Sequence, residues 1–187
     1  MQTTTILTLL INPLLELRVN LIMSIPIYLA RYSSGSLFND HWALFILDHT
    51  RPSPTCGTLL QVEGDPLNGF VHNVARNCDA RQEYYGRHQH VLIELDTAPE
   101  QHLEGDVGAV KGMENLEPGS EVERLALSTE PPGKSMRSAD NGKEGTAKKR
   151  IEARDCQWWV KEVVKKLITE KVLTQEAMSI LEQVPAH

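Results

Sequence analysis

The hydrophobic period changes once along this chain, and that change sets its fold class. Between residues 25 and 95, short apolar and β-branched runs alternate with clusters of Gly, Pro, Asn and Asp. In the last third the apolar residues recur at helical spacing. Strands first and helices last predict an α+β domain, with an antiparallel sheet packed against a C-terminal helix pair.

The strand readings follow from pattern and punctuation. Residues 25–31 read as a strand, with Pro26 marking an edge or a strand start. Residues 41–47 form a near-continuous apolar run, as a buried strand does. Residues 58–63 are the next strand, ended by Gly64-Asp65-Pro66, and are expected to pair antiparallel with 41–47. Residues 69–74 carry a weaker strand signal, and residues 90–95 a stronger one. Residues 99–118 are polar and read as a loop with room for a little extra structure.

Ser120 followed by Glu123 forms a capping box and predicts a short helix over 121–127. Asp155 is placed to cap a long helix with Trp159, Val160, Val163, Val164, Leu167 and Ile168 along one face. Thr174 is placed to cap a final helix carrying Ala177, Met178, Ile180 and Leu181.

At 187 residues the chain suits one domain with a sizeable core, expected to occupy 23–187. Residues 129–150 are rich in Pro, Gly, Ser and Lys and read as a flexible insert. Residues 1–22 read as an apolar extension. Asn12, Pro13, Glu16 and Arg18 interrupt the apolar residues there, so a membrane-spanning helix is not expected. The segment also lacks the basic start and long apolar stretch of a secretory signal. Any membrane association through it is expected to be weak.

The net charge of -6 argues against a nucleic-acid binder that neutralises phosphates. Three widely spaced cysteines, without a CxxC pair, fit neither a disulfide scaffold nor a structural zinc site. A reducing, cytoplasmic compartment is the expectation, with no metal and no cofactor.

Two short contexts carry the candidate chemistry. In the first, His41 enters the apolar strand His41-Trp42-Ala43-Leu44-Phe45-Ile46. In the second, Cys156 opens a helix in Asp155-Cys156-Gln157-Trp158-Trp159-Val160. With Asp155 as N-cap, Cys156 falls at the first helical position, where free N–H groups and the helix dipole favour thiolate. The Asp155 charge acts against it. A thiol there and a histidine base on a strand are the two halves of a cysteine nucleophile site. The bland alternatives are a buried structural cysteine and a histidine satisfied by a carbonyl. Trp158 and Trp159 read either as packing residues or as pocket wall.

These segments together resemble the permuted papain-like thiol proteins, the class of lecithin:retinol acyltransferase-like and NlpC-related domains. In that class a histidine opens a strand in a His-Trp-Ala-apolar pattern, a second polar residue lies on the following strand, and the cysteine comes last at a helix start. Here Gly57-Thr58-Leu59-Leu60-Gln61-Val62 resembles the middle segment and puts Gln61 at the second polar position. The likeness covers roughly 25–170, and the whole chain is similar to uncharacterised fungal proteins of this design. It implies Cys156 as nucleophile, His41 as base and Gln61 as the residue orienting His41, with Trp42, Trp158 and Trp159 around a substrate pocket. It further implies hydrolysis or acyl transfer on the amide, ester or thioester carbonyl of a small molecule, peptide or lipid. Two departures bear on activity: Gln61 stands where the acyltransferase branch has histidine, and Asp155 where asparagine is usual. A non-catalytic binding module on the same fold is the alternative. A redox-sensing Cys156, resolved by Cys56 or Cys78, is a third reading.

Overall fold

A computed structural model describes residues 24–33, 39–50, 53, 55–81, 90–103, 117–135 and 154–186. The expected N-terminal extension, 1–22, lies outside the described residues, as does 136–150 of the expected insert.

Five strands form one antiparallel sheet: β1 Ser24–Tyr32, β2 His41–Leu47, β3 Cys56–Asp65, β4 Gly69–Asp79 and β5 His90–Pro99. Their spatial order is β4-β3-β2-β1-β5. Three helices follow: α1 Glu121–Leu127, α2 Cys156–Thr169 and α3 Gln175–Gln183. The α+β expectation holds, and α1 joins the two C-terminal helices. No helix among the described residues is long and apolar enough to cross a membrane.

The sheet has two buried faces. Ile27, Leu29, Trp42, Leu44, Leu60 and Val62 face the helices, where Trp159, Val160, Val163, Val164 and Leu167 of α2 meet them. Fully burying one such aliphatic side chain contributes about 1.5–3 kcal/mol, so this helix stripe holds α2 to the sheet. Ala30, Tyr32, Ala43, Phe45, Leu59 and Ala75 belong to a second cluster on the opposite face. With both sides of β2 buried, its apolar run needs no alternation.

Every strand but β2 extends beyond its sequence reading, β1 by one residue at each end and β5 from residue 95 to Pro99. Strand β3 begins at Cys56 and ends at Asp65, so Gly57 and Gly64 lie within it. A Cβ at Gly57 would stand 2.0 Å from the Ile46 carbonyl oxygen, so only glycine allows β2 and β3 this approach. Strand β4 runs to Asp79 although residues 75–79 lack an apolar alternation. Arg76 is buried there because Glu123 of α1 pairs with it, and Asn77 turns left-handed (φ 54°) near a register shift against β3. Neither contact is visible in local pattern.

The helix caps are partly as expected. The Ser120 hydroxyl accepts from the Glu123 N–H at 3.2 Å. The Glu123 carboxylate goes instead to Arg76 and the Gly119 N–H. Thr174 is the N-cap of α3 but makes no side-chain cap bond. Its hydroxyl and N–H both donate to Asp96 on β5, which ties the helix start to the sheet edge.

The start of the expected insert is held in place. Trp159 donates its indole N–H to the Thr129 carbonyl, and residues 132–135 bond the β3–β4 hairpin through Phe70 N to Pro132 O and Ser135 N to Pro66 O.

One discontinuity positions the site. Strand β2 pairs with β1 from His41 to Ile46, but with β3 only from Leu44 to Leu47. The first three residues of β2 therefore have no rung with β3, and the sheet is split at that end.

Candidate active site

His41 stands first on β2, beside the split, and is buried to 8% exposure. Cross-strand pairing sets it opposite Tyr32, with ring centroids 6.0 Å apart. It shares the face of the Phe45 cluster, away from the helices. Its Nε2 lies 2.8 Å from Oε1 of Gln61 on β3. An amide oxygen only accepts, so Nε2 carries the proton and donates. In the neutral ring this leaves Nδ1 as the basic nitrogen. Burial lowers the His41 pKa below its ordinary value of 6.5, against the Gln61 bond and the nearby Asp155 charge, which raise it. His41 is thus neutral at pH 7.

Gln61 is buried at 3% exposure. Its amide Nε2 donates to Glu63 Oε1 at 3.2 Å, two residues along the same strand face.

Cys156 is the first residue of α2, with Asp155 as its N-cap. Asp155 Oδ1 accepts from the Trp158 N–H at 3.1 Å, as a helix cap should. Its Oδ2 accepts from Asn39 Nδ2 at 3.1 Å, joining the segment before β2 to the start of α2. The thiol meets the sheet at the split end, where the backbone N–H of Trp42 is near enough to favour its thiolate. The N–H groups of Cys156 and Gln157 also favour its thiolate. Burial outweighs them and, with the Asp155 charge, pushes the thiol up to about 11. The resting group is therefore a thiol.

The structure brings His41 and Gln61 into direct contact. It sets the Cys156 thiol against the residue next to His41, with the Asp155 charge acting on both. Helix α2 and the His41 ring lie on opposite faces of the sheet, so any approach of thiol and ring runs through the unpaired start of β2.

The three tryptophans separate. Trp42 and Trp159 are each 1% exposed and belong to the helix-side core. The Trp159 ring packs edge-on to His72. Trp158 is half-buried, with the Arg154 guanidinium 4.6 Å above its ring. Of the three, it alone has a share of the surface.

Local pattern missed four residues. Asp40 and Gln157 flank His41 and Cys156 in sequence, and both are buried. Gln157 Nε2 donates to the carbonyls of Asp40 and Ala186, at 2.9 and 3.0 Å. The Asp40 N–H also donates to Ala186 O, so the C-terminal segment is fastened beside the site. Asn39 and Glu63 are the other two. For Glu63 the signal was present, since it lies at i+2 from Gln61 on a strand.

Cys56 and Cys78 lie at the other end of the sheet. Cys56 starts β3, where Leu47 pairs with Gly57, and Gly57 pairs with Cys78. Leu47 lies five steps along the strand from Trp42, roughly 16 Å, whereas a disulfide needs Cα atoms within about 7 Å. Neither can resolve an oxidised Cys156 within this fold. Among the described residues no group of three His, Cys, Asp or Glu side chains is placed to hold a metal ion.

A family model described as a family of unknown function (DUF6540) matches residues 27–174, from β1 to the N-cap of α3. No curated protein and no solved structure matches the chain.

Proposed function

The chain belongs to the DUF6540 family, and we propose that it is a cysteine-dependent hydrolase or acyltransferase of permuted papain-like design, acting on an amide, ester or thioester carbonyl. The observation that carries this reading is the buried His41–Gln61 hydrogen bond, one residue from where the Cys156 thiol at the start of α2 meets β2. A histidine held as the Nε2–H tautomer offers Nδ1 as a base. The chain order of histidine, polar residue and cysteine supports the permuted design, as does a nucleophile at a helix start following an antiparallel sheet.

In this mechanism Cys156 Sγ attacks the substrate carbonyl carbon while its proton passes to His41 Nδ1. The carbonyl π electrons move to oxygen, and N–H groups at the start of α2 stabilise the oxyanion. The intermediate collapses, expelling the amine, alcohol or thiol, which takes the proton from His41. Water or an acyl acceptor then attacks the thioester, again with His41 as base, and releases Cys156. Because thiol and imidazole both rest neutral, proton transfer accompanies attack; no preformed thiolate–imidazolium pair is needed. The net charge of -6 gives no support to a nucleic-acid substrate, and a cytoplasmic setting suits three reduced cysteines.

A second reading, a non-catalytic binding module, is favoured by one observation: burial and Asp155 together hold the thiol in its unreactive form. The experiment is exposure to an activated ester such as p-nitrophenyl acetate, with mass spectrometry of the intact protein. Cys56 and Cys78 are changed to Ser throughout. A burst of nitrophenolate and an acetyl group on Cys156, both lost in His41→Ala, is the result expected of the enzyme. No adduct on Cys156 at any pH from 6 to 10 would sink the catalytic reading in favour of the module.

A further inference from the structure

We propose that Glu63 is a positioning residue for His41, acting through the Gln61 amide. The proposal rests on the reading of His41 as a base, and it names the group that makes the correct ring nitrogen basic.

A glutamine side chain can present either its oxygen or its NH2 to a neighbour, and the two choices have opposite consequences here. With oxygen towards His41, Nε2 must be protonated and Nδ1 is the base. With NH2 towards His41, Nε2 must be the bare nitrogen, and Nδ1 carries the proton. A thiol proton then has nowhere to go on Nδ1. Gln61 alone has no preference between these states.

Glu63 breaks the symmetry. Its carboxylate is an acceptor only, and it takes a hydrogen bond from Gln61 Nε2 at 3.2 Å. Reversing the amide would set carbonyl oxygen against carboxylate oxygen, a repulsive contact that takes the Gln61 donor from Glu63. Gln61 is buried, so water offers little compensation for that loss. The carboxylate thereby fixes the amide, the amide fixes the tautomer, and the tautomer selects Nδ1.

The same chain acts on charge. An amide whose NH2 donates to a carboxylate is polarised, and its oxygen becomes a stronger acceptor. When His41 takes up a proton, Nε2–H donates into that strengthened oxygen. A neutral glutamine backed by a carboxylate thus supplies part of what a directly bonded carboxylate would. Strand geometry makes the device cheap to build, because residues 61 and 63 of β3 point to the same side.

The test is the 15N NMR spectrum of the histidine rings at neutral pH, with His41 assigned by its absence in His41→Ala. Wild type is expected to show a protonated Nε2 and a bare Nδ1. Glu63→Ala is expected to bring in the Nδ1–H form, while Glu63→Gln, which keeps an acceptor oxygen, retains the wild-type pattern. Glu63 is partly exposed, so both variants are expected to fold. A wild-type pattern in Glu63→Ala overturns the proposal, and so does loss of the pattern in both variants. The spectrum reports the tautomer whether or not Cys156 reacts. A failed acylation experiment with an intact tautomer effect would therefore discard the enzyme and keep the relay.

Discussion

His41 and Gln61 are hydrogen-bonded across strands that no longer share a ladder. The last rung between β2 and β3 is Leu44 opposite Leu60, and both residues lie beyond it. A side-chain bond spans the gap there, and the Trp42 N–H lies near enough to the Cys156 thiol to favour its thiolate. The candidate site lies where β2 and β3 part.

Removing the amide should destabilise the fold. Gln61→Leu leaves the buried His41 N–H without its acceptor, at a cost of about 1–3 kcal/mol. Urea unfolding should show the midpoint falling with an unchanged slope. An unchanged midpoint would mean that His41 has another partner of equal strength.

The thiol should label with an unusual pH dependence. With Cys56 and Cys78 changed to Ser, iodoacetamide should react slowly with Cys156 at pH 7 and faster as pH climbs towards the value of about 11. Asp155→Asn removes the charge that opposes thiolate but keeps a capping oxygen. Its labelling curve should shift to lower pH, with the helix content by circular dichroism unchanged.

Folding stability should fall on both sides of neutrality. The folded-state pKa of His41 is depressed, so below about 6.5 the unfolded chain takes up a proton that the folded chain refuses. Stability from this group is lost as pH falls, by at most about 1.4 kcal/mol per pH unit. The folded-state pKa of Cys156 is raised, so from about 9 to about 11 the unfolded chain loses a proton that the folded chain keeps. Stability then falls as pH rises. Thermal unfolding of His41→Asn should lose the acidic slope, and of Cys156→Ser the alkaline one.

The pair of Arg76 and Glu123 should matter far more than its surface counterpart. Its side chains are 6% and 3% exposed, and Arg76 donates to both carboxylate oxygens, at 3.0 and 3.2 Å from Nε. Glu123→Ala leaves a buried guanidinium unpaired and should cost about 3–5 kcal/mol. Glu121→Ala, breaking the exposed pair with Arg124, should leave stability almost unchanged. Chemical denaturation of the two variants gives the comparison directly.

Gln157 should hold the C-terminal segment. Gln157→Ala withdraws a donor from the carbonyls of Asp40 and Ala186, and amide hydrogen exchange should accelerate at Asp40, whose N–H bonds Ala186. Unchanged exchange at Asp40 would show that the segment is held by other contacts.

Local pattern was enough for the elements that carry their own signals. Strand β2 was legible as residues 41–47 because seven consecutive positions are apolar or flank an apolar run. Helix α1 was legible because Ser120 and Glu123 stand at capping distance. Cys156 at the first turn of α2 followed from Asp155 alone. The pattern failed wherever a residue's environment comes from far along the chain. The end of β4 was hidden because Arg76 reads as a surface charge until Glu123, 47 residues away, is packed against it.

What the chain determined by itself is the order of strands and helices, and two candidate residues, His41 and Cys156, in their local settings, Gln61 having been implied only by the resemblance to the permuted papain-like class. These depend on side-chain period and capping, which act over a few residues. Only the tertiary structure decided that β2 and β3 part at Leu44, that Gln61 faces His41 with its oxygen, and that the thiol lies against Trp42. It also decided that Trp42 and Trp159 belong to the core. Each of those is a question of distance and burial between residues remote in sequence. Burial in turn sets the protonation of His41 and Cys156, because the energy of a charge depends on the medium around it.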